Sequence, residues 1–463
     1  MIQGPSAYKK MNSPRAWTTK IGIGIAAIGV VGLAAQFVRP ELKNPPVTAD
    51  LQAPPEVKRI LAASCYNCHS NETKLSWFDQ IEPGYALVVH DVREARAHLN
   101  FSDFGALPPA QQKAFLYEGV NRIRFGVMPP KSYLALHPGA QVAAPDLKVL
   151  EDYLHPPESR AAELGRVPAA AAPAELTGLD HGAVPPAPNG IPFFADYATW
   201  KLVSATDRFD NGTLRSILGN EVAIRAIALQ QNHPWPDGTA FAKVAWKQRR
   251  DAQGVVRPGE FVQVEFMLKD ATKYAATEGW GFARWRGASL VPYGKDKGFT
   301  SECASCHAPM RANDFVFTEP IRATAENPDA FNGAAALPPG LPADPLQGEV
   351  ITSSVDATNA AMATEFGNGV AASHARTGGQ APYPAGSVLY VVTWRQQDDA
   401  HWFGGRIAAK VMSVESVTVE DQPDGALHAA YGRYPAGSGG PANDVDRAAR
   451  MEQILQQEPA TFR

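Results

Sequence analysis

Apolar positions along the chain fall into two textures. In residues 55–64, PEVKRILAAS, Val57, Ile60 and Leu61 recur at helical spacing. PPAQQKAFLYEGVNRIRFG predicts a second helix that stops at Gly126. PDLKVLEDYLH predicts a third, with Pro145 in its first turn and an end before Pro156 and Pro157. Later the period changes. TAFAKVAWKQ and GEFVQVEFMLKD alternate in period two between Gly, Pro and Asp, which predicts antiparallel strands, and Asn211-Gly212 and Asp237-Gly238 supply turn signals. Between the two textures residues 158–190 are rich in Ala and Pro without a lasting apolar period, the signature of a linker. The expected fold class is multidomain α + β: a small α-helical domain, then mainly antiparallel β domains.

One stretch is apolar throughout. Ile21 to Val38 reads IGIGIAAIGVVGLAAQFV, with Gln36 its only polar side chain. At about 1.5 Å per residue this is near the short limit for crossing a bilayer. Lys9, Lys10, Arg15 and Lys20 precede it with no acidic residue, which keeps the N-terminus cytoplasmic and exports the rest. The length of the run favours a retained transmembrane helix, although GLAAQ also suits a cleaved signal peptide. Either reading puts the main body in the periplasm, and the first describes a single-pass protein of a bacterial inner membrane. The balance of 43 basic against 47 acidic residues, without a long basic tract, gives no reason to expect nucleic acid as a partner.

The period-two region contains an internal repeat. HPWPDGTAFAKVAWKQ, residues 233–248, returns as APYPAGSVLYVVTWRQ, residues 381–396. At a constant offset of 148, residues 219–248 and 367–396 share ten identities, including Gly219/Gly367, Asn220/Asn368, Gly238/Gly386, Trp246/Trp394 and Gln248/Gln396. About two would arise by chance from average residue usage. Glycines, prolines and a large aromatic are what a shared turn-and-strand framework needs. One position breaks the pattern: Lys243, amid apolar residues, becomes Val391.

The four cysteines occur as CYNCH (Cys65, Cys68, His69) and CASCH (Cys303, Cys306, His307). C-x-x-C-H is the attachment signature of c-type haem: two thiols bond the vinyl groups and the adjacent histidine reaches the iron. Two disulfides would leave the paired histidines unexplained. One four-cysteine zinc site would need an unusually long intervening stretch, and neither motif has the βαβ setting of a thioredoxin. Two covalently bound c-type haems are therefore expected, one per texture. Met128, in GVMPPKSY, is the candidate second iron ligand opposite His69, since a thioether opposite imidazole raises the potential and suits electron transfer. Packing against the haem edge without ligation is the alternative. His90 and His98, eight apart in HDVREARAH, are rival ligands or members of a solvated helix face. For the second haem no sixth ligand stands out. Met310 lies too close in sequence to His307, so an open distal site is the default, with Arg215, Arg284 and Glu265 as candidates to line it or as ordinary surface charge.

Residues 41–155 resemble the membrane-tethered haem-binding domain family, through CYNCHSNETKLSWF, HDVREARAHLNFSDF and MPPKSY. The resemblance implies a small periplasmic monohaem domain. Residues 190–320 resemble cytochrome P-460 and its relative, the β-type cytochrome c prime, through DNGTLRSILGNEVAIRA, PWPDGTAFAKVAWKQ, GWGFARWRG and FTSECASCHAPMRANDFVFT. That resemblance implies a c-type haem against an antiparallel β framework, histidine on one face of the iron and an open site on the other. It also implies a lysine bonded to the macrocycle and oxidation of hydroxylamine or binding of nitric oxide. By motif position Lys243 is that lysine. From the residues alone, Phe241, Lys243, Ala245 and Lys247 share one strand face, where a half-buried amine would have a lowered pKa; an ordinary solvated lysine is the alternative.

The domains expected are a cytoplasmic tail at 1–20, the anchor at 21–38, an α-helical haem domain at 39–157, the linker at 158–190, a P-460-like haem domain at 191–322, a connection at 323–349, and a haemless β domain with a C-terminal tail at 350–463. The function expected is a dihaem cytochrome. The second haem acts on a small nitrogen compound and the first passes electrons to redox partner proteins in the periplasm or membrane. A non-catalytic relay, or a protein that binds nitric oxide or carbon monoxide, is the alternative, which leaves open whether it is an enzyme.

Overall fold

The computed structural model describes residues 36–37, 39–155, 184–321, 331–378, 382–422, 426–435 and 446–463. Of the expected anchor only Gln36 and Phe37 are among them. Residues 158–183 of the expected linker also lie outside the described residues. Among the described residues no helix is long and apolar enough to cross a membrane. The chain divides into two compact units, one ending at Tyr153 and one beginning at Leu154.

The first unit is helical: α1 (Pro55–Ser64), α2 (Tyr66–His69), α3 (Gly84–His98), α4 (Pro109–Arg124), α5 (Lys131–Leu134) and α6 (Ala144–Leu154). Val57, Ile60 and Leu61 of α1 are buried, as their spacing predicts, together with Val89, Val92, Tyr117, Val120 and Leu150 from the other helices. After α4 the chain reverses at Gly126, whose φ is +64°. The amides of Val127 and Met128 both donate to the Arg122 carbonyl, at 3.0 and 3.2 Å, and so satisfy the helix end.

The second unit is built on antiparallel strands: β1 (Lys201–Arg208), β2 (Thr213–Gly219), β3 (Ala240–Arg250), β4 (Val256–Lys269), β5 (Trp280–Arg286), β6 (Val291–Pro292), β7 (Glu349–Asp356), β8 (Ala361–Gly367), β9 (Val388–Asp398), β10 (Gly405–Asp421) and β11 (Leu427–Pro435). Four helices accompany them: α7 (Glu221–Ala228), α8 (Phe299–His307), α9 (Gly369–Arg376) and α10 (Arg447–Leu455). The pairing runs β3-β2-β1-β10-β9-β8-β7-β4, and β4 also pairs with β3, so the path closes into a ring. β5 and β6 extend from β4, and β11 from β10.

The ring joins the two copies of the repeat reciprocally. β1 of the first copy meets β10 of the second (Thr206 opposite Ile407), and β4 of the first meets β7 of the second (Val256 opposite Val355). This is the arrangement of a two-fold dimer contained in one chain. The pleat then gives each half two faces. Ala242, Val244 and Trp246 point into a core shared with Met362, Val392 and Trp394 of the other half. Phe241 points to the opposite face, into a separate cluster with Trp235, Trp280, Phe282 and Phe315; the second half forms its own outer cluster around Leu389, Val391 and Ile454.

The repeat identities have matching tasks. Asn220 and Asn368 cap α7 and α9, accepting from the amides of Ala223 and Ala371 at 3.0 Å each, and donate to the carbonyls of Gly238 and Gly386 at 2.9 and 2.7 Å. A Cβ on Gly219 would stand 2.9 Å from Val203, and one on Gly367 2.8 Å from Ile351, so only glycine fits either strand end. Trp246 donates to the Thr461 carbonyl at 2.6 Å and Trp394 to that of Ala335 at 2.8 Å. The stretch expected as a connection contributes to the core where it is described: Phe331, Asn332 and Ala335 are buried, and Asn332 donates to the Ala408 carbonyl at 2.7 Å.

Gln248 and Gln396 converge on one carboxylate, donating to the two oxygens of buried Asp207 at 2.6 and 2.9 Å, with Arg406 3.6 Å away. Asp207→Ala removes the acceptor that two amides share between the halves and a carboxylate beside the buried Arg406 guanidinium. It should cost about 3 kcal/mol of stability, measured as a lower midpoint in urea unfolding at unchanged slope.

Candidate haem sites

In the first unit Cys65 stands between α1 and α2, and Cys68 and His69 lie on α2. No disulfide joins the four cysteines, and burial pushes the thiols of Cys65 and Cys68 up to about 12 and about 11. The last turn of α3 sets the histidine: Nδ1 of His69 lies 3.1 Å from the Leu99 carbonyl and 3.2 Å from that of Ala95. Carbonyls only accept, so Nδ1 carries the proton and Nε2 presents its lone pair, the form that ligates a metal. Burial, acting against these two hydrogen bonds, lowers the His69 pKa and keeps the ring neutral. The loop after the motif is tied by Arg96, which donates to the Ser70 carbonyl at 2.7 Å and to Thr73 Oγ1 at 2.8 Å.

The MPPKSY segment folds back onto this motif. Asn67, inside CYNCH, donates to the Tyr133 hydroxyl at 3.1 Å. Met128 lies five residues before that contact, on the loop between α4 and α5, and its side chain is exposed. Both rival histidines, His90 and His98, lie on α3. His90 is exposed on α3, and His98 pairs with Glu118 at 3.4 Å against the Phe115 ring.

In the second unit Cys303, Cys306 and His307 share α8, the cysteines one turn apart. Burial pushes the Cys303 thiol up to about 11. His307 repeats the logic of His69 more tightly: Nδ1 lies 2.7 Å from the Phe315 carbonyl, and burial lowers its pKa to about 4. That carbonyl is delivered by two successive left-handed residues, Asp314 (φ +45°) and Phe315 (φ +65°). Neither is glycine, so the turn is strained and must be held from outside. Asp314 is gripped by the Lys269 ammonium at 2.8 Å and by the Trp235 amide at 2.9 Å. The imidazole itself lies between the rings of Phe282 and Phe317, each 5.1 Å away.

Lys243 is on β3, on the face that carries Phe241, and its register neighbours explain its charge. Across the sheet Ile217, Lys243, Glu265 and Arg284 stand opposite one another on four successive strands. Lys243 forms an ion pair with Glu265, whose other oxygen lies 2.8 Å from Arg284 Nε and accepts from Gln263 at 2.7 Å. Burial opposes the charge on Glu265, but Lys243 and Arg284 outweigh it and hold the carboxyl down at about 2. Burial lowers the Lys243 amine. Cys303 packs against the cluster that holds Ile217, Phe241 and Phe282, and the charges of Lys243, Glu265 and Arg284 act on His307, so the stripe and the C-x-x-C-H helix lie on one face of the sheet. The side chains of Lys243, Glu265 and Arg284 keep between 15 and 33 % of their surface open. Ordinary surface charge, one of the two sequence readings, does not describe Glu265 and Arg284. A cavity of about 860 Å³ at the strand ends beside Asn220 and Lys273 contains none of these residues.

The cysteine-free half shows what replaces the stripe. Val391 stands where Lys243 does, Glu415 opposite it in place of Glu265, and Arg433 in place of Arg284. Here α10 covers the face, with Ile454, Met451 and Leu455 against Val391. Arg450 of α10 donates to both oxygens of Glu415, at 2.8 and 2.7 Å, and Tyr431 adds a third bond at 2.6 Å. A guanidinium from the helix thus neutralises the carboxylate that a strand lysine neutralises in the first half.

Two units, each with a C-x-x-C-H helix and a neutral histidine held by its Nδ1, make the protein a haem-binding cytochrome. Family comparison specifies it further: residues 30–156 match the model described as Haem-binding domain, and residues 194–318 match Cytochrome P460. The chain carries these two domains in that order. No curated protein matches it.

Under α10 one group has no partner. Glu365, at the position of Ile217, is 2 % exposed and neither carboxyl oxygen is hydrogen-bonded. Burial pushes its pKa up to about 8. The folded protein keeps a proton that the unfolded chain has released, so stability falls as pH rises from about 4.5 to 8 and then levels. Glu365→Ile should remove that slope, gaining about 3–5 kcal/mol at pH 8 relative to its effect at pH 4.5, measured by urea unfolding at both.

Proposed function

We propose that the protein is a membrane-anchored periplasmic cytochrome with two covalent c-type haems. In this reading the haem on Cys65 and Cys68 has His69 and Met128 as ligands and transfers electrons. The haem on Cys303 and Cys306 has His307 on one face and an open site for hydroxylamine or nitric oxide on the other. The observation that carries it is the placing of the C-x-x-C-H helix on the sheet face that bears the Lys243–Glu265–Arg284 stripe. Haem iron, when bound, supplies ligand binding and one-electron redox chemistry. The chain's own groups do the rest. The Phe315 carbonyl fixes the proton on Nδ1 of His307 and makes Nε2 a stronger donor. Glu265 Oε2 pairs with Lys243 Nζ and fixes where that side chain ends, while burial favours its neutral amine. Arg284 keeps Glu265 ionised and in place. The cysteine-free half binds no haem in this reading, because α10 fills the equivalent face.

Two measurements test it. Peptide mass spectrometry should find the Cys303/Cys306 haem bonded also to a peptide containing residue 243, and Lys243→Ala should abolish that link; thioether links alone in the parent refute the cross-link. Hydroxylamine added anaerobically to the ferric protein should reduce its haems. Carbon monoxide binding without any such reduction would instead favour the second reading, a protein that captures diatomic ligands.

A further inference from the structure

The cysteine-free half reaches the segment after the C-x-x-C-H helix of the other half through the turn between β9 and β10. Nδ1 of His401 donates to the Phe317 carbonyl at 2.8 Å, and its Nε2 lies 3.6 Å from Glu319. The next residue, Trp402, meets the Phe317 ring edge-on at 5.8 Å, and the same ring lies 5.1 Å from the His307 imidazole. Trp402 is fixed in turn: its indole N–H donates to Asp210 at 3.1 Å and the Arg208 guanidinium lies 4.4 Å over its ring. The segment that presents the Phe315 carbonyl to His307 is thus held at its start by Lys269 and Trp235, and past its middle by His401 and Trp402. Beyond these the Ile321 amide donates to the Val203 carbonyl at 3.2 Å. The partners at its start and at Ile321 belong to the same repeat as His307; His401 and Trp402 do not.

We propose that His401 is a positioning residue for the iron at the Cys303/Cys306 haem, and that the cysteine-free half serves to set the donor strength of His307. The proposal rests on the reading of His307 as axial ligand. The Phe317 carbonyl is two residues from that of Phe315. Releasing it from His401 loosens the strained turn at Asp314 and Phe315 and weakens the hydrogen bond that His307 Nδ1 donates. A weaker bond there makes Nε2 a poorer donor to iron and stabilises the ferric state less.

The test uses the full-length protein loaded with haem. His401→Ala should lower the ferrous iron–histidine stretching frequency, read by resonance Raman. It should also shift the ferrous-to-ferric ratio of this haem upward by about three- to tenfold at a fixed potential. His401→Asn keeps an N–H donor and should restore most of both. Trp402→Leu, which removes the ring packed against Phe317 and leaves His401, should move both in the same direction by less, and serves if His401→Ala does not fold. The haem on Cys65 and Cys68 should not change in any variant. Lys410→Ala, on an exposed position of β10, should change neither. A folded His401→Ala or Trp402→Leu protein with unaltered frequency and ratio overturns the proposal alone, as does an equal shift in Lys410→Ala. Absence of an iron–histidine stretch from His307 in the parent overturns the underlying reading, and the proposal with it.

Discussion

Closure of two half-sheets around one core is the constraint on which the second unit depends. Because β1 pairs with β10 and β4 with β7, the inward face of every ring strand is committed to shared packing around Trp246 and Trp394. Strand pleating leaves each half only its outer face for anything else. That face is where the first half collects Lys243, Glu265, Arg284 and the C-x-x-C-H helix, and where the second half lays α10. Function is confined to one side of the sheet by the way the other side is buried.

The two outer faces solve one electrostatic problem differently. A carboxylate at the centre of a half-buried strand needs a cation, since an uncompensated buried charge is costly. In the first half the cation is the neighbouring strand residue Lys243; in the second it is Arg450, from a helix that also covers the face. Once Arg450 is present the strand position can be apolar, and Val391 packs beneath the helix. The change from lysine to valine between the copies is therefore coupled to what covers the face.

Both histidines are prepared by backbone rather than by carboxylates. His69 uses carbonyls at the end of α3: that of the C-cap Leu99, and that of Ala95, which also accepts the Leu99 amide at 2.8 Å. His307 uses a carbonyl obtained by bending two non-glycine residues into the left-handed region, and the surrounding contacts of Asp314 and Phe317 hold that bend. The second arrangement depends on distant parts of the chain, which ties the setting of His307 to the integrity of the whole ring.

Much of this was legible in the residues. The 3.6 period located α1, α4 and α6 to within a residue or two, the period-two runs located β3 and β4, and the pleat placed Lys243 with Phe241 on the face away from Trp246. The C-x-x-C-H spacing named the candidate haem residues, because thiol and imidazole chemistry demand them at fixed separations. What the sequence could not decide was which charges meet. Glu265 and Arg284 are ordinary strand residues until register sets them beside Lys243, and register is a property of paired strands, not of either alone. Nor could spacing show that residues 401 and 402 stand against Phe317, or that Arg450 answers Glu415. Local periodicity and motif chemistry are written in neighbouring residues. Contacts across 35 to 200 positions exist only once the ring has closed.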